Sequence, residues 1–142
     1  MSDHFYENTF TRIEPNKDNY LDQNGKSRRD LQICIDHICA KSIERMERPL
    51  TLVEMEEMSG YSRRSLINAF HARFGCSPCK WQQSERLRIA QFLLSTAEQN
   101  LNIGTLAFKL GFSSASKFCS YYQRMYNETP KQTLKRTFKT AA

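Results

Sequence analysis

With 142 residues, 39% of them hydrophobic, the chain is one ordinary domain or two very small units sharing a core. No apolar run approaches the ~20 residues of a membrane span, no signal-peptide pattern opens the sequence, and five cysteines without regular spacing do not describe a secreted disulfide scaffold, so a membrane partner is excluded and a cytoplasmic location expected. The net charge of +6 is uneven: from Asn100 onward Lys109, Lys117, Arg124, Lys131, Lys135, Arg136 and Lys139 stand against one acid, Glu128, a balance that suits a nucleic acid as well as a solubilising surface.

Residues 1 to 27 read as a polar lead-in or linker: a disordered arm, or the trailing end of an upstream domain. Pro15, Asn16, Asn19, Asn24 and Gly25 interrupt any period there, and the acids Asp3, Glu7, Glu14, Asp18 and Asp22 collect in it. A first helix is predicted after Ser27, its cap, with Asp30 in the capping-box position. Leu31, Cys34, Ile35, Ile38, Cys39, Ser42, Ile43 and Met46 form its apolar stripe, and Pro49 ends it. Thr51 and Glu54 form a T-x-x-E box that opens a short helix carrying Leu52, Met55 and Met58, closed by Gly60. Ser62 caps the third helix, which buries Leu66, Ala69 and Phe70 before Gly75 ends it.

Ser77-Pro78 then supplies a cap and a first-turn proline for a central helix from Pro78 to about Ser95. That helix carries Trp81, Leu87, Ile89, Ala90, Leu93 and Leu94 and is roughly 25 Å long at 1.5 Å per residue. Asn102 caps a fifth helix that Gly111 stops; Ser113 caps a sixth, ended by Asn127, a residue tolerant of left-handed backbone. Thr129-Pro130-Lys131-Gln132 combines a cap, a proline and a T-x-x-Q box at the start of a last helix with Leu134 and Phe138. No stretch argues for a strand. The predicted fold is all-α, a domain over 28–142 with about seven helices: two helix-turn-helix subdomains, about 51–75 and 102–127, joined by the central helix at about 78–95.

The two subdomains repeat one framework. Leu52-Val53-Glu54-Met55-Glu56, Gly60-Tyr61-Ser62, Leu66, Phe70, Gly75 and Pro78 return as Ile103-Gly104-Thr105-Leu106-Ala107, Gly111-Phe112-Ser113, Phe118, Tyr122, Asn127 and Pro130, with one residue added between Ser113 and Phe118. A helix-turn-helix holds its second helix at the angle that enters a major groove, and the face not spent on the framework meets base edges. In the first copy that face is Arg63, Arg64, Ile67 and Asn68, where arginine suits guanine and asparagine suits adenine. In the second it is Ala115, Ser116, Cys119 and Ser120, small side chains that reach little, while Lys117, Arg124 and Lys131 suit phosphate. Unequal half-sites follow, the first unit carrying most of the specificity.

The span from about Asp30 to Phe138 resembles the DNA-binding domain of the AraC/XylS family of bacterial transcription regulators. Ala107-Phe108-Lys109-Leu110-Gly111-Phe112-Ser113, followed by Phe118, Tyr122, Thr129 and Pro130, carries most of the likeness. The resemblance implies two recognition helices in successive major grooves of promoter DNA, and activation through RNA polymerase. It implies Arg64, Ile67 and Asn68, then Ala115, Ser116, Cys119 and Ser120, as base contacts, and places Ser62, Trp81 and Thr129 near backbone contacts. With Arg73, Lys80, Ser113, Lys117, Arg124 and Lys131 these make up the expected phosphate set. Glu56 departs from the pattern, standing where the second copy has the small Ala107, and Gly104 lies inside a short helix.

Other chemistries are weaker. Cys76-Ser77-Pro78-Cys79 is a C-x-x-C with His71 five residues earlier, which leaves a redox-responsive regulator as an alternative, but no strand precedes it and a zinc site lacks a fourth ligand. No cofactor motif and no metal set are present, and three scattered histidines without paired carboxylates do not make an enzyme. The remaining alternative is a helical protein-interaction module with only non-specific DNA affinity. The sequence names no small-molecule effector.

Overall fold

The computed structural model describes residues 28–141, and among them there are seven helices and no strand. They are α1 (Arg28–Glu44), α2 (Leu52–Ser59), α3 (Arg63–Phe74), α4 (Pro78–Ser95), α5 (Ile103–Lys109), α6 (Ala115–Tyr126) and α7 (Pro130–Ala141). The chain divides into two compact units. Of the described residues, one unit gathers 28–41 with Leu52–Pro78; the other gathers Ser42–Thr51 with 79–141. Ser27, the predicted cap of α1, and the polar lead-in lie outside the described residues.

In the first unit α2 packs on α3. Ile35 and Ile38 from α1, Met55 from α2, Tyr61 from the turn, and Leu66, Ala69 and Phe70 from α3 are buried, as the 3.6-residue spacing of their apolar positions requires. The turn is fastened by Ser59, whose hydroxyl donates to the Met55 carbonyl (2.7 Å) and accepts from the Tyr61 N–H (3.1 Å). Ser62 then caps α3 in extended backbone (φ −67°, ψ 155°), its Oγ accepting from the Ser65 N–H at 3.2 Å. Gly75 ends α3 at φ 75° with its N–H on the His71 carbonyl.

The second unit is built on Leu87, Ala90, Leu94, Leu106, Ala107, Leu110, Phe118, Tyr122 and Leu134. Phe112, Phe118, Tyr122 and Tyr126 form a chain of tilted rings with centroids 4.9–5.8 Å apart, a geometry worth about 0.5–1.5 kcal/mol per pair beyond burial. α5 packs on α6, and α6 on α7. The reciprocal box predicted at α7 is present: Thr129 N–H donates to Gln132 Oε1 (2.8 Å) and Gln132 N–H to Thr129 Oγ1 (3.2 Å).

Two sequence expectations need correction. The cap of α6 is Ser114, not Ser113: Ser114 Oγ accepts from the Lys117 N–H at 3.1 Å and its carbonyl from the Phe118 N–H. The added residue of the second copy therefore lengthens the turn and leaves α6 in step with α3. The first helix also stops at Glu44, short of Pro49, with residues 45–48 in a turn. There the Arg86 guanidinium of α4 donates to the carbonyls of Ser42, Arg45 and Met46 at 3.1–3.5 Å, satisfying groups that a helix end leaves open. Burial lowers the Arg86 pKa to about 10. Beside it the Gln82 amide both donates to and accepts from the Leu50 backbone (2.9 and 3.0 Å).

Candidate nucleic-acid interface

On α3, the burial of Leu66, Ala69 and Phe70 turns the opposite face outward. Arg64 and Asn68 are exposed, Ile67 is half-buried, and among the described residues Arg64 makes no ion pair or side-chain hydrogen bond. Arg63, also exposed, is engaged: its Nε donates to Glu56 Oε1 of α2 at 2.8 Å. Neither α3 nor α6 carries an acid in its own first turn, so the positive N-terminal dipole of each stands beside its exposed side chains, with Glu56 of α2 the carboxylate at the start of α3.

On α6, Ala115, Ser116 and Ser120 are exposed, but Cys119 is half-buried against the core of the second unit, and burial raises its thiol pKa. Gln123 is exposed one turn beyond Cys119 and Ser120, and two beyond Ser116, on the same side of the helix. It is the one long amide there, with the donor and acceptor needed to bond an adenine edge. The sequence reading passed over it by stopping at the first two turns; helical spacing alone places it.

The expected phosphate contacts separate into two groups. Ser62, Lys80, Ser113, Lys117, Arg124 and Lys131 are exposed, and Thr129 is half-buried at the N-terminus of α7. Arg124 lies over the Tyr121 ring, 5.7 Å from its centroid. Arg73 and Trp81 are placed differently. The Arg73 side chain is 13% exposed, paired with Asp36 of α1 at 2.6 Å and stacked over Phe74, while Trp81 is 4% exposed. Cys76 is half-buried and Cys79 exposed, both as free thiols, and among the described residues no three potential metal ligands cluster.

Two helical units, each with a capped second helix that shows a polar face to solvent, define a double helix-turn-helix DNA-binding domain. Residues 55–136, more than half of the chain, match a family model described as a helix-turn-helix domain, and the chain belongs to the AraC/XylS family of bacterial transcription regulators. It is 32% identical over 85 residues to the HTH-type transcriptional regulator AlkR of Acinetobacter baylyi, covering 60% of this chain and 27% of that protein. To the XylDLEGF operon transcriptional activator 2 of Pseudomonas putida it is 26% identical over 102 residues, covering 71% and 65%. Among solved structures, a probable AraC family transcriptional regulator from Rhodopseudomonas palustris matches with a TM-score of 0.66 at 28% identity, over 74% of this chain and 97% of that one. The chain thus spans about a quarter of the length of the Acinetobacter regulator.

Proposed function

We propose that this domain binds duplex DNA with sequence preference by placing α3 and α6 in successive major grooves, and that it serves transcription activation in the bacterial cytoplasm through contact with RNA polymerase. The observation that carries the reading is the exposed pair Arg64 and Asn68, one turn apart on a helix whose seating is fixed by Leu66, Ala69, Phe70 and the Ser62 cap. Both residues can make paired hydrogen bonds to a base, Arg64 to guanine and Asn68 to adenine. On α6, Ser116, Ser120 and Gln123 are the readers, and Ala115 offers its methyl to thymine. Lys80, Lys117, Arg124 and Lys131, with Ser62, Ser113 and Thr129, supply phosphate contacts; Arg73 and Trp81 support the fold behind them. The activating role draws on the likeness to the XylDLEGF operon transcriptional activator 2 of Pseudomonas putida.

Selection of bound duplexes from a random pool at near-physiological salt tests this. The expected product is two short blocks about 10 bp apart, centre to centre, the first sharper than the second. Binding without an enriched motif, fading as salt rises, refutes sequence-specific recognition and leaves an interaction module with electrostatic DNA affinity.

A further inference from the structure

The Glu56–Arg63 pair has no counterpart in the second unit, where Ala107 and Ala115 hold the matching places. Glu56 is the last-but-three residue of α2, and the Gly60 N–H that closes the helix donates to its backbone carbonyl. Its side chain escapes the helix–helix contact that a small residue fills in the other copy and reaches across the turn to Arg63, the first residue of α3. The Arg63 and Glu56 side chains are 53% and 35% exposed, so water and salt reach the pair. Arg64, the next residue, has no such partner among the described residues. Two adjacent arginines at the mouth of the recognition helix are thereby made unlike: one held, one free.

We propose that Glu56 is a specificity-determining residue, which withholds Arg63 from the DNA backbone unless a base contact draws it away. This inference rests on the reading of α3 as a recognition helix. An exposed ion pair of this kind favours the closed state by at most about fivefold. A phosphate contact by the same guanidinium is of similar size and merely exchanges one anion for another. A paired contact to guanine discriminates by about five- to a hundredfold, enough to open the pair. On unrelated sequences Arg63 stays on Glu56 and adds nothing to affinity; on the preferred sequence it is released. Glu56 also sets a carboxylate beside the first turn of α3, which repels phosphate when Arg63 leaves without reward.

The test compares wild type, Glu56→Gln, Arg63→Ala, the double variant and Arg64→Ala on the duplex enriched by selection and on a scrambled one, across a salt series. Glu56→Gln is expected to raise affinity for scrambled DNA about three- to fivefold, to steepen the log–log salt dependence by about one phosphate contact, and to narrow the preference for the selected duplex. In the Arg63→Ala background the same change is expected to do much less, because its target is gone. Unchanged scrambled-DNA affinity and salt slope in Glu56→Gln, with Arg64→Ala still weakening selected binding, overturns the role of Glu56 and leaves α3 as the reader. An equal gain with and without Arg63 also overturns it, since the effect is then only added net charge. If wild type itself shows no preference for any duplex, the recognition reading falls and takes this inference with it.

Discussion

The hydroxyls of Tyr122 and Thr133 meet at 2.7 Å in the interior of the second unit. Thr133 Oγ1 donates its proton to Glu128 Oε1 at 2.6 Å, so Tyr122, near the end of α6, is the donor in the first bond. Glu128 in turn pairs with Arg136 of α7. The relay ties α6 to α7, which packs against it.

Tyr122→Phe removes one donor but leaves Thr133 its carboxylate partner, and is expected to cost about 1 kcal/mol in chemical denaturation. Thr133→Val leaves the Tyr122 hydroxyl without its acceptor and Glu128 Oε1 without its donor, though Arg136 stays on Oε2, and is expected to cost about 2–3 kcal/mol. Equal losses in the two variants contradict the relay.

Acid sensitivity follows from the same group. Hydrogen bonds from Thr133 and Arg136 hold the Glu128 carboxyl below its ordinary pKa. A depressed folded-state pKa means that the stabilisation is complete above the unfolded value of about 4.3 and is lost as pH falls through the folded value. Glu128→Gln is therefore expected to flatten the acid limb of the stability curve below about pH 5. Glu85, buried in α4 and bonded to Arg88, acts in the opposite sense: burial raises its pKa, outweighing the lowering by Arg88, so its contribution is greatest at low pH and declines as the carboxyl ionises. Glu85→Gln is expected to gain stability relative to wild type as pH rises above the unfolded carboxyl value of about 4.3; an offset that is the same below and above that value counts against this.

Gly75 and Gly111 both hold left-handed backbone (φ 75° and 81°), yet they differ in surroundings. A Cβ on Gly75 meets nothing within 4 Å, whereas one on Gly111 meets the Met46 carbonyl at 2.6 Å and Pro49 Cδ at 2.9 Å. Gly75→Ala is expected to cost about 1 kcal/mol, and Gly111→Ala about 3 kcal/mol or more, because backbone has to move. Thermal denaturation of the two variants ranks them; the reverse order refutes the seating of Gly111 on residues 46–49. Asn127, at φ 57°, occupies the place in α6 that Gly75 occupies in α3, and Asn127→Gly is expected to gain a few tenths of a kcal/mol.

Arg64→Ala is expected to lower affinity for the selected duplex by about 1–3 kcal/mol and to relax one base position. Ser116→Ala is expected to cost less. Competition binding against single-base variants measures both, and the reverse ranking removes the case for unequal half-sites.

Lys80→Ala is expected to reduce the salt slope by about one contact, while Arg73→Ala leaves the slope unchanged and lowers stability by about 1–3 kcal/mol. The difference stems from Asp36, which holds the Arg73 guanidinium inside the first unit. A loss of slope in Arg73→Ala, in folded protein, returns that residue to the backbone contacts.

The helices were legible because their stop and start signals are local. Ser62, Asn102 and Thr129 bond the backbone within three residues of themselves, and Gly75 and Asn127 end helices by their own φ. What was not legible depends on partners far along the chain. Arg73 looks like any surface arginine until Asp36 is beside it, and α1 ends where it does because of Arg86, forty residues later. Spacing predicts Ser113 as the cap of α6 from its place after Gly111-Phe112, but the residue added in the second copy moves the cap to Ser114. Glu56 read as a misfit because spacing shows the helix contact it must avoid but not the arginine it reaches.

The second helix-turn-helix is closed by Ser42–Thr51, which precedes the first in the chain: these residues receive Arg86, bind the Gln82 amide through Leu50, and seat Gly111. The repeat is therefore not modular. A chimera that swaps the second motif at a single crossover in the α3–α4 loop inherits an Arg86 and a Gly111 fitted to another protein's Met46, Pro49 and Leu50. Transplanting the motif with its partners takes two crossovers, one on either side of α2–α3.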